Sequence, residues 1–314
     1  MASQSIHALM YGLIDYAGLF PPAGLPMDKA VEAFASHWGS TDSVALARFI
    51  LPMKRLDEWG AVAVKHLSRQ APADDQAPPR PWRLSVLIDD NLAVELDAIE
   101  DFNRSHEVAG GSTHKHAHTA EIDTIELKVQ TPDVIDEAVE HLPEDLYPFF
   151  EIPIDSDFRG FAAALAGTGF GAKLRTGGLR PEMFPSCELV AEFITAMHTA
   201  EVPFKCTAGL HHPVRATHPL SYDVNALRGT MHGFVNVFLA AAFIRHARFD
   251  VKTAAGLLAE TDAGTIVFTD AGATYKGRLV TTDQIRDTRE NFAICFGSCS
   301  FDEPMADLRK LGWL

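Results

Sequence analysis

Two runs in this chain each set a lysine inside an apolar, β-prone stretch and follow it with a glycine four positions on. They are Ala172-Lys173-Leu174-Arg175-Thr176-Gly177-Gly178 and Phe204-Lys205-Cys206-Thr207-Ala208-Gly209-Leu210-His211-His212. A charge inside a strand is costly unless it is paired or used. An amine held near another cation shifts towards its neutral form, which can act as nucleophile or base.

Side-chain alternation decides what stands beside these lysines, because successive residues of a strand face opposite sides. In 124–129 the apolar set Ile125, Leu127 and Val129 takes one face and leaves Glu126 and Lys128 on the other. The same parity puts Lys173 with Arg175, and Lys205 with Thr207; Glu151 is the single charge of the run 148–154. If these faces converge, Lys128, Lys173, Arg175 and Lys205 meet only Glu126 and Glu151. A purely structural ion-pair network would then leave two cations unpartnered, at several kcal/mol each. A small anionic ligand would supply the missing charge, and clustered ionisable groups of this kind mark functional sites.

Elements to position such a cluster follow from hydrophobic periodicity. Strands are expected at 13–19, 45–51, 83–88, 124–129, 148–154, 172–175, 204–207 and 265–269, with amphipathic helices between them at 27–38, 56–70, 92–103, 132–141, 158–166 and 189–199. Strand and helix in alternation across one chain of 314 residues predict a single (β/α)8 TIM-type barrel spanning 1–314, whose site lies at the strands' C-terminal ends. No G-x-G-x-x-G follows the first strand and no P-loop is present, which argues against a nucleotide-binding open sheet. A polar, proline-rich surface loop is expected at 71–81, a long βα loop at 213–228, and a helix apolar on nearly every side at 232–246.

Composition narrows the partners. With a net charge of -15, nucleic acid and anionic membrane surfaces are disfavoured, and buried cations become more telling. No apolar run reaches the length of a membrane span. The N-terminal residues lack a signal-peptide pattern, and four cysteines do not form a disulfide framework at this length. A cytoplasmic protein is expected, with homo-oligomer formation left open.

The lysine runs resemble deoxyribose-phosphate aldolase and related class I aldolase barrels, which carry K-x-x-T-G on strand six and K-x-[ST]-x-G-[IL] on strand seven. Lys173-Leu174-Arg175-Thr176-Gly177 and Lys205-Cys206-Thr207-Ala208-Gly209-Leu210 match these patterns, and Glu121-Ile122-Asp123 is similar to the family's acidic E-[IV]-D run on strand four. The resemblance covers these short runs in the right order. Over its whole length the chain resembles bacterial proteins without an assigned activity, which implies nothing about chemistry. The aldolase likeness implies a lyase in which Lys173 forms a Schiff base with a carbonyl substrate and Lys205 keeps that amine reactive. Glu151, Glu126 or Asp123 would then move the proton. Asp123 has the opposite parity to Glu126, so both face inward only if the strand bulges. No cofactor is implied. Thr176, Gly177, Thr207, His211, His212 and Asp15 join Lys128 and Arg175 as candidate substrate contacts. Ala208 stands where the family has glycine, and Arg175 where it has a small residue. Both departures point away from a phosphate and towards a carboxylate, which a guanidinium fork suits.

Competing readings rest on other residues. His211 and His212 with Glu126 and Glu151 would suit a divalent metal, giving a metal-dependent lyase or isomerase. His114, His116 and His118 alternate in a run expected at the barrel's N-terminal face, away from the site. The 295–299 run Cys-Phe-Gly-Ser-Cys is expected to pack near the last helix. Asp89 and Asp90 are expected at the rim, and His232 and Asn236 as buried hydrogen-bonders. A non-catalytic small-anion-binding barrel would need the same cations without a reactive amine.

Overall fold

The computed structural model describes residues 2–67, 80–89, 91–109 and 116–314. Apart from residues 80 and 81, the proline-rich run lies outside them, as does His114.

Eight parallel strands close into a barrel. Numbered among themselves, they are β1 (Ile14–Tyr16), β2 (Leu46–Pro52), β3 (Trp82–Leu87), β4 (Ala120–Lys128), β5 (Tyr147–Ile152), β6 (Gly171–Arg175), β7 (Phe204–Thr207) and β8 (Ala293–Ser298). Each is hydrogen-bonded to the next, and β8 pairs with β1 to close the ring. This is the TIM-type architecture that the alternating pattern predicts.

The outward residues form the core against the helices. Phe49 packs on Phe34, Phe204 on Phe193, and Phe296 on Phe234 and Phe238. Helix starts are fixed by side-chain caps: Asn91 accepts from Val94 N–H, Asp157 from Arg159 N–H, and Ser186 from Leu189 N–H.

Two expectations need correction. The stretch expected as strand eight, 265–269, does form a strand, Ile266–Thr269, but it belongs to a three-stranded antiparallel sheet with Gly272–Tyr275 and Arg278–Thr281. Tight turns follow it at once, so the chain folds back on itself and does not enter the barrel. The true eighth strand contains Cys295, Phe296, Gly297 and Ser298, the run expected to pack beside the last helix. The stretch 213–228 is also more than a loop: Ala216–Pro219 pairs antiparallel with Arg228–Met231 as a hairpin. The helix Phe234–Ala247 is apolar all round because it is sandwiched. It meets β8 through Phe234 and Phe238, and the helices Val251–Leu258 and Thr282–Asn291 on its other sides. His232 and Asn236, at its start, are the buried hydrogen-bonders expected. His232 donates from Nε2 to Pro185 O, and Asn236 accepts from Arg215 N–H.

Candidate active site

Register brings the charged residues together. Glu151 on β5 is the partner of Lys128 on β4 and of Lys173 on β6, and Lys173 is the partner of Lys205 on β7. Their inward parity holds, and a continuous chain of ion pairs results. Lys205 Nζ donates to Asp15 Oδ2 at 2.6 Å and to Glu126 Oε1 at 2.6 Å. Lys173 Nζ stands 2.6 Å from Glu126 Oε2 and 2.6 Å from Glu151 Oε2, and Arg175 Nε is 3.2 Å from Glu151 Oε1. Ser85 Oγ donates to Glu126 Oε1 at 2.7 Å. Glu151 Oε2 makes no aligned hydrogen bond, so its contact with Lys173 is one of charge and proximity.

Electrostatics follow from this order. Burial alone would raise Glu126, but Lys173 and Lys205 override it and hold the carboxyl far below the usual range. Burial would likewise raise Glu151, yet Lys173 and Arg175 hold it low. For Lys205 burial disfavours the charge, and Asp15 with Glu126 more than offset it, so the amine is raised. Lys205 therefore does not act as a bare cation beside Lys173; Glu126 stands between the two amines and binds both.

Asp15 changes the expected count. It sits on β1 fully buried, accepts from Lys205 and from Cys295 Sγ at 3.0 Å, and lies beneath the cavity, not at its rim. With this third anion inside the barrel, Lys173, Lys205 and Arg175 are all partnered. Only Lys128 of the four cations has no carboxylate partner among the described residues.

The question of Asp123 is settled by a bulge. Leu84 of β3 pairs with Ile122 while the next residue, Ser85, pairs with Thr124, so Asp123 is the extra residue and the parity switches there. Asp123 meets the β2 residue Arg48 in a bidentate pair, 2.6 and 2.8 Å, one layer towards the strands' N-terminal ends. It does not line the cavity, whereas Glu126 and Glu151 do.

At the C-terminal mouth lies a cavity of about 600 Å3. Lys173, Glu126 and Glu151 form its floor, Lys128, Arg175 and Arg180 one flank, and Thr207, Gly209, His211 and Cys299 part of another side. Lys205 is 0% exposed and absent from the lining; of the two strand-end lysines, Lys173 is the one that borders the cavity. A groove of about 620 Å3 between the outer helices Phe158–Leu165 and Cys187–Thr199 is marginally larger. Its charged residues Asp157, Arg159 and Glu192 are exposed, and no buried ionisable cluster accompanies it.

Thr176 and Gly177 prove to be structural. Thr176 is fully buried and donates from Oγ1 to Ala208 O at 2.6 Å, tying the end of β6 to that of β7. A Cβ on Gly177 would meet the Phe184 ring at 2.4 Å and Gly209 Cα at 2.9 Å. The glycine that follows each lysine is there because the two strand ends pass backbone to backbone.

His211 and His212 diverge. His211 borders the cavity, with Nδ1 3.2 Å from Glu303 Oε2 and 3.9 Å from Cys299 Sγ. Burial pulls it down, but Cys299 and Glu303 outweigh burial and hold it up at about 9. His212 points to Asp307, 2.6 Å away, and stacks on His218 outside the main cavity. Glu126 and Glu151 are already engaged by lysines, and among the described residues no group of three or more His, Cys, Asp or Glu is arranged to hold a metal. Among the described residues no helix is long and apolar enough to cross a membrane.

Several residues of the site carried no readable signal. Ser85 is a lone hydroxyl in an apolar strand, and Cys299 follows β8, a strand that hydrophobic periodicity does not predict. Phe20 and Pro22 come directly after β1 and wall the cavity; only their position after a barrel strand could have marked them. Searches among known protein families, curated proteins and solved structures found nothing that matches this chain.

Proposed function

We propose that this barrel is a carbon–carbon lyase of the aldolase type, acting through a Schiff base between Lys173 and a small anionic carbonyl compound. The observation that carries the reading is the position of Lys173: at the floor of the mouth cavity, within 2.6 Å of two carboxylates, while its twin Lys205 is sealed below.

The two glutamates are suited to different work. Glu126 is held by Ser85, Lys205 and Lys173, so it stays ionised and stabilises positive charge on the lysine nitrogen. Glu151 is held by fewer directional bonds and borders the cavity. An anionic substrate group drawn to Arg175 weakens the Arg175–Glu151 pair, and the proton affinity of Glu151 rises. Glu151 then accepts a proton from Lys173, whose free amine adds to the carbonyl carbon. Returning that proton to the carbinolamine hydroxyl expels water and leaves a protonated imine beside Glu126. In the cleavage direction, loss of the substrate's β-hydroxyl proton to a base breaks the C–C bond, and the electron pair moves into the imine as an enamine. Protonation at carbon and hydrolysis release the second product and restore the amine.

Lys173 held between two carboxylates, with Lys128 at the cavity left without a carboxylate partner among the described residues, favours a second reading, an anion-binding barrel without turnover. Borohydride reduction in the presence of aldehydes and oxo acids separates the two. The lyase reading expects a covalent mass increase that Lys173→Ala abolishes and Glu151→Gln slows. Thermal stabilisation by the same anions with no covalent increase supports the binding protein and removes the lyase.

A further inference from the structure

The cavity has two unlike sides. Its charged flank comes from β4 to β6 and the loop beyond: Lys128 and Arg175 stand one strand layer above Glu126 and Lys173, and Arg180 follows at the rim. The facing side is apolar apart from His211 and Cys299. Phe20 and Pro22 follow β1, Ile50 and Leu87 come from β2 and β3, and Leu220 and Met231 come from the hairpin after β7. Leu220 and Met231 are 2% and 5% exposed, so the hairpin is seated. Leu220 also packs directly over Gly229, where an added Cβ would lie 3.0 Å from its Cδ2.

Among the described residues that line the cavity, Thr207 is the only side chain with a hydroxyl or amide. A polyhydroxylated ligand would find partners on the charged floor and flank, but its hydroxyl groups set against Phe20, Pro22, Ile50, Leu87, Leu220 and Met231 would lose their bonds to water without replacement. A three-carbon oxo acid would satisfy the floor and the cationic flank but leave the apolar wall wet. The volume of about 600 Å3 is that of a pocket for a larger small molecule.

We infer that the site takes carbonyl acids with one anionic group and an apolar body, aryl or branched alkyl, in preference to sugar phosphates. The carbonyl in this description rests on the lyase reading; the pairing of one anion with an apolar body rests on the cavity walls alone.

Titration calorimetry on the intact protein with ligands that cannot form an imine tests the wall separately from the chemistry. The probes are 3-phenylpropanoate, propanoate and a methyl pentofuranoside 5-phosphate, a pentose phosphate locked against opening to its aldehyde. The expected order is 3-phenylpropanoate tighter than propanoate by about tenfold or more, from burial of the ring, with the pentose phosphate weakest. Leu220→Asn should remove the preference for the ring, while Arg175→Met should weaken both carboxylates. Equal affinity for the two carboxylates, tighter binding of the sugar phosphate, or no binding of any probe by the wild-type protein overturns the inference. Should this order hold while borohydride traps nothing, the lyase reading falls and the ligand class stands.

Discussion

Glu126 is the residue on which the site turns, because it is bonded to both lysines and to Ser85. Its partners are unequal in what their loss should do. Lys205→Met would leave Asp15 and Glu126 buried without their shared cation, and a loss of about 3–5 kcal/mol in denaturant unfolding is expected; a near-neutral result would show that the carboxylates are not both ionised. Arg175, 41% exposed, should matter less to stability and more to ligands. Arg175→Met is expected to weaken binding of an anionic carbonyl compound about tenfold, the worth of a charge-assisted hydrogen bond, with unfolding midpoints little changed. His211 offers a test by pH. Its folded value, about 9, lies above the ordinary 6.5, so its stabilisation is complete below pH 6.5 and is lost as pH rises through 9. The full effect is on the order of 3 kcal/mol. Unfolding free energy should fall between pH 6.5 and 9 in the wild-type protein, and His211→Gln should flatten that slope. An unchanged slope would mean that Cys299 and Glu303 do not hold the proton there.

Among the elements, the paired ends of β6 and β7 are the most constrained. Gly177→Ala should cost more than about 2 kcal/mol, since the new methyl meets the Phe184 ring and the Gly209 backbone within contact distance; thermal unfolding would show it. Ala208, at φ 61°, carries a left-handed backbone without glycine's freedom. Ala208→Gly is expected to stabilise by about 0.5–1 kcal/mol, and a destabilised variant would contradict the strain. These ends were legible in the sequence as a repeated Lys-to-Gly spacing, and the parity of β4 to β7 was legible because charges alternate there with apolar residues. β8 was not, for a physical reason: its inward residues Cys295 and Gly297 are small and uncharged. A Cβ on Gly297 would already lie 3.1 Å from Ile50 Cδ1. Asp15 was marked as a candidate by its place at a strand end, but its burial beside Lys205 was not legible, because three residues are too few for alternation to declare a face. The bulge that turns Asp123 inward leaves no local signal, since it depends on the register with β3.

At the scale of the whole molecule, a chain of net charge -15 builds a local cationic flank at the mouth of its barrel and buries the compensating carboxylates beneath. The barrel was legible from the alternation of strand and helix. The charge balance was not, because it depends on a β1 residue brought across the ring by closure. The central claim is that Lys173, and not Lys205, meets the substrate. Borohydride trapping with an apolar oxo acid or aldehyde, followed by proteolysis and mass mapping of the modified peptide, tests it most directly. The adduct is expected on Lys173, in the wild-type protein and in Arg175→Met alike. An adduct on Lys205, or none across a broad carbonyl panel with the protein folded, would contradict it.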